Sequence, residues 1–362
     1  MNEDQWLIQA LVPDFNVKAL NLFPFALPKF ATLIDFLWSC PPKVSRLTGE
    51  LPIMPHEFTY EKVLASSLRA QWQLDDVLRA DQELDFTRKF MPESLARTAV
   101  APGLDSEEQM RLNHICAYQY LYYFGVVEQF ILPFVLDHAR PILNEDDFRV
   151  RALLNFASEE AKHVHLFRRF IEAFDRGFPV HCRMLGPQDR FQQMVLRHHP
   201  LAVGLTVLMI EWMTQAHYLG SIRGDEDLDP LFKSLLKHHW MEEAQHAKLD
   251  TLMVEALAET LSEREIAVVI DEFFQIAGYL DASLKKQVIL NLDSLQRVTG
   301  RAAANPGQLV AQQYAASRWI YLGSALTHPN FQATLTSISP RAAKRVSNTL
   351  ARAGIEPEPA LT

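Results

Sequence analysis

Two short motifs in the sequence have the spacing of metal ligands. Glu160 and His163 form one Glu-x-x-His motif, and Glu243 and His246 form a second. Residues three apart on a helix lie on one face about one turn apart, so a carboxylate and an imidazole can bind the same ion. One such motif alone is weak evidence, because chance often produces it on surface helices. The interpretation therefore depends on what accompanies the pair.

Two isolated glutamates accompany these motifs. Glu128 is the only charged side chain in residues 112–136, and Glu211 is the only one in residues 200–222. A buried carboxylate without a partner is heavily penalised, and a nearby dication removes that penalty. Both stretches approach the length of a membrane span, but polar residues interrupt them. We therefore expect helices in the centre of a large protein, and not an integral membrane protein.

An internal repeat joins the four motifs into one set. Glu128, Glu160 and His163 recur as Glu211, Glu243 and His246 at a constant offset of 83 positions. Two hairpins with equal spacing would place these side chains at equal depth. One glutamate from each of two helices and Glu-x-x-His from each of two others is the ligand set of ferritin-like dinuclear proteins. Oxygen and imidazole ligands without thiolate favour iron or manganese over structural zinc.

The repeat fails at one position that faces the same way. His239 lies four residues before Glu243, and the corresponding residue in the first half is Phe156. The second half therefore has room for a third nitrogen ligand, although a core histidine or a hydrogen-bond partner is an alternative. Glu159 and Glu242 precede the ligating glutamates. We expect them to accept the free ring N–H of a ligating histidine from the opposite motif, the alternative being exposed helix glutamates.

The complete pattern, with His239-x-x-x-Glu243-x-x-His246 in its second half, resembles the di-iron N-oxygenases of the p-aminobenzoate N-oxygenase type. The resemblance covers about residues 105–260. It implies a ferritin-like enzyme that oxidises an arylamine to a hydroxylamine or nitro compound, with two iron ions and O2 as co-substrate. It also strengthens His239 as a seventh ligand. Glu159 and Glu242 depart from the aspartate that is common at these positions in ferritin-like monooxygenases.

The cofactor, electron source and substrate site are less closely defined. The expected metal pair is Fe/Fe, with Mn/Fe as the alternative. The sequence contains no flavin, nicotinamide or iron–sulfur motif, so electrons must come from a separate reductase or a small reductant. Gly125, Gly204 and Tyr122 are candidates for a substrate pocket, with helix and core packing as the alternative. Thr214 is a candidate for proton delivery.

Two other functions fit parts of the pattern. A di-iron hydroxylase, desaturase or C–C cleaving enzyme for a fatty or carrier-bound acyl chain would also suit the apolar helices. A ferritin-like iron-binding protein without an organic substrate would need the same ligands. About 100 residues on each side of the bundle argue against the second alternative, because they suggest a covered pocket for a small molecule.

The elements that must position these residues are helices. Helical periodicity covers about residues 60–90, 105–139, 144–176, 188–222, 228–259 and 262–299, and strand-like alternation is nearly absent. The expected fold is all-α, a ferritin-like four-helix bundle with flanking helices. We expect one domain over residues 1–362: a covering segment to residue 104, the metal-binding core at 105–259, and C-terminal helices with a weakly patterned tail from residue 300. The first 58 residues predict irregular chain with short helices that covers the core, and residues 354–360 predict disorder.

Composition excludes some classes of protein. The chain has 362 residues and a net charge of −9, which argues against nucleic-acid binding. Three scattered cysteines indicate reduced thiols, and the acidic N-terminus lacks the features of a signal peptide. We therefore expect a cytoplasmic protein. A homodimer is among the assembly states that the sequence allows.

Overall fold

A computed structural model describes residues 56–145 and 147–353. These residues are largely α-helical, and the β-structure among them is one isolated bridge between Lys89 and Leu228. The helices are α1 (Tyr60–Ala70), α2 (Leu74–Val77), α3 (Glu93–Ala96), α4 (Ser106–Ala139), α5 (Asp147–Gly177), α6 (Gln188–Leu196), α7 (Pro200–His217), α8 (Pro230–Ala258), α9 (Glu263–Thr299), α10 (Pro306–Arg318), α11 (Ser324–Leu326), α12 (Pro329–Ile338) and α13 (Pro340–Arg352). Short π-helical segments, Tyr218–Ile222 and Trp319–Gly323, follow α7 and α10.

Four long helices form the centre of the fold. Helix α4 packs along α5, and α7 packs along α8, so the core consists of two helical hairpins. The hairpins meet where α8 contacts α5 and α4 contacts α7. Helix α1 covers the α5 and α8 side, and α9 lies against α4 and α7. This is the all-α, ferritin-like bundle expected from the repeat.

The sequence fixes the ends of these helices through their caps. The Asp105 side chain accepts hydrogen bonds from two backbone amides of α4, and Glu108 completes a capping box. Ser262 and Glu265 form a capping box at the start of α9. The side chain of Asp229 accepts from the Phe232 amide at the start of α8. These contacts satisfy N–H groups that the first helical turn leaves without partners.

Polar residues within the apolar helix α4 have specific partners. The amide oxygen of Asn113 accepts from the backbone amides of Phe90 and Met91, and its NH2 group donates to the Met91 carbonyl. Gln129 accepts a hydrogen bond from Gln192 of α6. These interactions attach neighbouring segments to a buried helix. Among the described residues, no helix combines the length and apolarity that a membrane crossing requires.

Three predicted elements differ in the structure. The single helix expected at 188–222 is divided into α6 and α7, because Pro200 begins a new helix after His199. The helix expected at 60–90 ends at Ala70; the short helix α2 follows, and most of the residues after it are irregular. The weakly patterned tail from residue 300 contains α10 to α13. The irregular N-terminal segment and the disordered C-terminus, expected for residues 1–58 and 354–360, lie almost wholly outside the described residues.

Candidate metal centre

The predicted ligands come together at the centre of the two hairpins. Each is at most 2% exposed. Helix α4 contributes one glutamate, α5 and α8 contribute the Glu-x-x-His pairs, and α7 contributes the other glutamate. The cluster consists of Glu128, Glu160, His163, Glu211, His239, Glu243 and His246.

One side of the cluster contains the histidine that interrupts the repeat. His239 Nε2 lies 3.1 Å from Glu128 Oε1 and 2.7 Å from Glu243 Oε1. His163 Nδ1 lies 2.9 Å from the same Glu243 oxygen. Potential ligand atoms of these residues all lie within 4.8 Å of one another. The group therefore has the dimensions of a metal site with two imidazoles and two carboxylates.

The other side contains the second Glu-x-x-His pair. His246 Nδ1 lies 2.8 Å from Glu160 Oε1 and 2.9 Å from Glu243 Oε2. Together with His163, these residues form a second group whose ligand atoms lie within 4.8 Å of one another. Glu211 belongs to neither of these groups, but burial raises its pKa and it is close enough to Glu243 and Glu160 for their charges to raise it further. Glu243 and His163 belong to both groups, so the two candidate positions are adjacent and share a carboxylate.

The chemistry of the donors fits two bound cations. Oxygens of Glu128, Glu160, Glu211 and Glu243 are buried without an aligned hydrogen-bond partner. The pKa of Glu211 is raised well above its usual range by burial and then by the adjacent Glu243 carboxylate. Two dications would neutralise four carboxylates and remove both penalties. The expected dinuclear iron cofactor therefore suits the residues that are present.

The raised pKa values of two histidines, His163 and His246, reflect the same excess of carboxylates. Burial lowers the pKa of His163 and of His246, but the surrounding glutamates, Glu243 foremost, outweigh burial and raise both values well above the usual range. Protons on these rings would supply the positive charge that the carboxylates require. Metal ions would replace these protons, because a ligating nitrogen must be unprotonated.

Glu159 and Glu242 lie behind the histidines, each opposite the other motif. Glu242 Oε2 is 2.8 Å from His163 Nε2, and Glu159 Oε2 is 2.9 Å from His246 Nε2. Both glutamates are almost fully buried. In each case the nitrogen that faces away from the cluster is paired with a carboxylate. This fixes the ring orientation and leaves Nδ1 facing the cluster.

Aromatic side chains surround the imidazoles. Phe156 stacks on His246 with ring centroids 4.1 Å apart, whereas Phe124 and Phe167 meet the His239 ring edge-on at 5.3 and 4.9 Å. Phe156 therefore fills with apolar surface the place that His239 occupies in the other half. Such a shell excludes water and keeps the effective dielectric low.

The structure places the other candidate residues away from open space at the cluster. The hydroxyl of Thr214 donates to the Ile210 carbonyl in its own helix. A Cβ atom added at Gly204 would lie 3.3 Å from both Phe134 and Val254 side-chain atoms. At Gly125 it would meet Phe167 Cβ at 3.6 Å. These contacts favour close helix packing over a substrate pocket at either glycine.

Tyr122 is only partly buried, and its hydroxyl donates to the Leu185 carbonyl at 3.4 Å.

Three residues near the cluster escaped the sequence analysis. Lys162 contacts Glu242, Ser67 contacts Glu159, and Asp250 is fully buried with no hydrogen-bond partner for either oxygen. The repeat offset could have revealed Asp250, because it pairs this residue with Phe167. Ser67 carries no comparable signal, since its partner is 92 residues away.

The helical bundle and its buried carboxylate–histidine cluster define a ferritin-like, dinuclear metal enzyme. A family model described as "P-aminobenzoate N-oxygenase AurF" matches residues 62–318, which is more than two thirds of the chain. The chain belongs to this family and is an oxygenase of the dinuclear-metal type. The match extends on both sides of the region 105–260 that carried the resemblance in the sequence.

Solved structures with a similar arrangement of helices are R2-like ligand-binding oxidases. A variant with an Fe/Fe cofactor is 15% identical, with a TM-score of 0.44, and covers 73% of this chain and 93% of its own. An oxidase with a Mn/Fe cofactor is 15% identical, with a TM-score of 0.42 and the same coverage. A comparison with curated proteins finds no match.

Proposed function

We propose that this protein is a di-iron oxygenase that transfers oxygen from O2 to the nitrogen of an arylamine. Membership of the AurF family supports the reaction class. The observation that carries the proposal is the position of His239, whose Nε2 lies within 3.1 Å of two cluster carboxylates. It adds a third nitrogen donor to a ligand set that otherwise consists of four glutamates and two histidines.

The proposed ligands are the seven residues of the cluster. Glu243 would help to hold both ions, because its two oxygens face different histidines: Oε1 faces His239, and Oε2 faces His246. A di-iron pair supplies the two-electron reduction of dioxygen. Glu159 and Glu242 hold the histidine rings in place, and the aromatic shell keeps water away from the cluster.

The stoichiometry requires a partner that donates electrons. Conversion of an amine to a hydroxylamine consumes one O2, two electrons and two protons, and releases one water molecule. The ligand set holds no organic redox group. We therefore propose an external reductase or a small reductant as the source, and a small aromatic amine as the substrate.

Anaerobic reconstitution with Fe2+ followed by reductant, 18O2 and an arylamine tests the proposal. We expect hydroxylamine or nitro product that contains 18O. Glu160→Gln should lose at least about 100-fold of this activity, since it removes one of four carboxylates. Glu172→Gln provides the matched control, because Glu172 is exposed on the same helix.

Three results would contradict the proposal. Oxygenation or desaturation of a fatty or carrier-bound acyl chain, with the amine untouched, would assign the enzyme to the alternative substrate class. Formation of ferric mineral at a rate that no organic substrate changes would indicate an iron-binding protein. Protein that retains no iron after reconstitution would contradict the ligand set itself.

A further inference from the structure

The two cluster histidines are supported by groups of different charge. Behind His163, Glu242 Oε2 lies 2.8 Å from the ring nitrogen, and Glu242 Oε1 lies 2.5 Å from the ammonium of Lys162. Glu242 is fully buried and the Lys162 side chain is 18% exposed. A carboxylate that supports a histidine is thus paired with a cation in a place where charges are only weakly screened.

Behind His246 the corresponding carboxylate has a neutral partner. The hydroxyl of Ser67 lies 2.7 and 2.8 Å from the two oxygens of Glu159. The NH2 group of Asn155 in turn donates to the Ser67 hydroxyl. The supporting carboxylate on this side therefore keeps its full negative charge.

The position of Lys162 is fixed by an aromatic residue that also touches the cluster. Its ammonium donates to the Trp72 carbonyl at 3.1 Å and lies 3.9 Å from the centroid of the Trp72 ring. The same ring stacks on His163, with centroids 5.9 Å apart and planes 13° from parallel. The ammonium is held over the indole face by a cation–π contact. Lys162 is therefore oriented towards Glu242 rather than extended into solvent.

The internal repeat shows that this cation belongs to one half only. The offset of 83 positions pairs Lys162 with Gln245, which is neutral. Gln245 accepts a hydrogen bond from Lys248. The asymmetry of the supporting groups therefore accompanies that of the ligands, since His239 also lies on the His163 side, with the two rings 4.7 Å apart.

We propose that Lys162 is a positioning residue that acts through Glu242 and His163 to lower the dication affinity of one metal position, so that the two positions are inequivalent. This is the position beside Glu243 Oε1, the oxygen that lies 2.9 Å from His163 Nδ1 and 2.7 Å from His239 Nε2. This inference rests on the ligand set proposed above. A carboxylate on the free ring N–H strengthens a histidine as a donor. An ammonium on the other carboxylate oxygen draws charge away from the ring and repels the bound dication. The withdrawal of charge and the repulsion both lower the affinity for the dication.

Anaerobic titration of the chelator-treated chain with Co2+ alone, followed by visible absorption, measures both positions without turnover. Wild-type protein should bind two Co2+ ions with distinguishable spectra. Lys162→Met should tighten one step about tenfold and leave the other within about twofold. Lys162→Arg keeps the charge and should restore both steps to wild-type values.

Two further variants identify the step. His239→Ala removes a nitrogen donor on the His163 side. The Co2+-binding step whose visible spectrum changes in this variant is therefore the step that Lys162→Met must tighten. Ser67→Ala, the matched change behind His246, should leave that step unchanged. If Lys162→Met does not fold, as judged by circular dichroism, Lys162→Gln is used with the same expectation.

The outcomes separate this inference from the proposed function. The role of Lys162 would be overturned if the chain binds two Co2+ ions and Lys162→Met shifts both affinities equally, weakens them or leaves them unchanged. The ligand set would still stand. Failure of arginine to restore wild-type values would do the same, because a charge effect requires that rescue. A wild-type chain that binds no Co2+ would instead contradict the ligand set.

Discussion

Asp250 is not one of the predicted ligands, yet both of its oxygens are buried without a hydrogen-bond partner. It lies one turn after His246 on the same face of α8, where the first half has Phe167. Burial raises the pKa of Asp250 well above its usual range; His246 opposes this rise, and the Glu160 and Glu243 carboxylates add to it. The neutral form is therefore favoured in the folded chain.

This raised pKa makes a prediction about stability and pH. A carboxyl group with a raised pKa binds more protons in the folded state, so its contribution to stability is complete below the unfolded pKa of about 4 and is lost as pH rises through the folded pKa. In chelator-treated protein, the free energy of unfolding should fall more steeply between about pH 4 and 8 for wild type than for Asp250→Asn. Urea unfolding at several pH values measures both. Parallel curves would show that Asp250 is charged in the folded chain.

At the scale of the element, α7 illustrates how far the apolar pattern predicts packing. Residues 201–215 of this helix are buried, as expected for a helix that is apolar all round. The absence of a Cβ at Gly204 allows Phe134 and Val254 to lie close to the backbone. A glycine within a helix has a cost of about 1 kcal/mol, so the packing that it allows must offset that cost.

Gly204→Ala should therefore destabilise the protein. The added methyl group gains helix propensity, worth about 1 kcal/mol, but must displace two side chains at 3.3 Å, and overpacking costs about 1–3 kcal/mol. Gly220→Ala is the control, because an added Cβ there meets nothing within 4 Å. Thermal unfolding should place Gly204→Ala below Gly220→Ala. Equal melting temperatures would mean that Phe134 and Val254 move without cost.

The long helices and the cluster could be predicted because their signals are local in the sequence, whereas contacts between distant positions could not. Glu128 and Glu211 are conspicuous because each is alone in an apolar stretch, and the Glu-x-x-His spacing is local. Lys162 was not recognised because its partner, Glu242, is 80 positions away and only tertiary structure unites them. Helix α13 was also missed, although Ala342, Val346 and Leu350 recur on its buried face at a spacing of four residues.

At the scale of the whole molecule, the cluster joins two hairpins that otherwise meet through few contacts. Its carboxylates and histidines come from both hairpins, so bound metal stabilises the folded chain in addition to serving catalysis. The unfolded chain does not hold these ligands together, and the free energy of metal binding therefore adds to that of folding.

Removal of metal should lower the melting temperature by about 5–10 °C. Two sites filled at 100 times their dissociation constants contribute about 5 kcal/mol, and a chain of this length has an unfolding entropy of about 0.8 kcal/mol/K. Calorimetry of chelator-treated and Fe2+-loaded protein under anaerobic conditions measures the difference. Glu160→Gln should show a smaller one. Identical melting temperatures would indicate that the cluster does not hold metal under these conditions.

The tandem arrangement of the hairpins has an evolutionary consequence. If two identical hairpins associated as separate chains, the assembly would be symmetric and every substitution would appear in both copies. Joining them in one polypeptide lets each copy change alone. The differences between Phe156 and His239, and between Lys162 and Gln245, are substitutions of this kind. Because both hairpins belong to one polypeptide, the active centre is not held to two-fold symmetry, which is a precondition for giving its two metal ions different tasks.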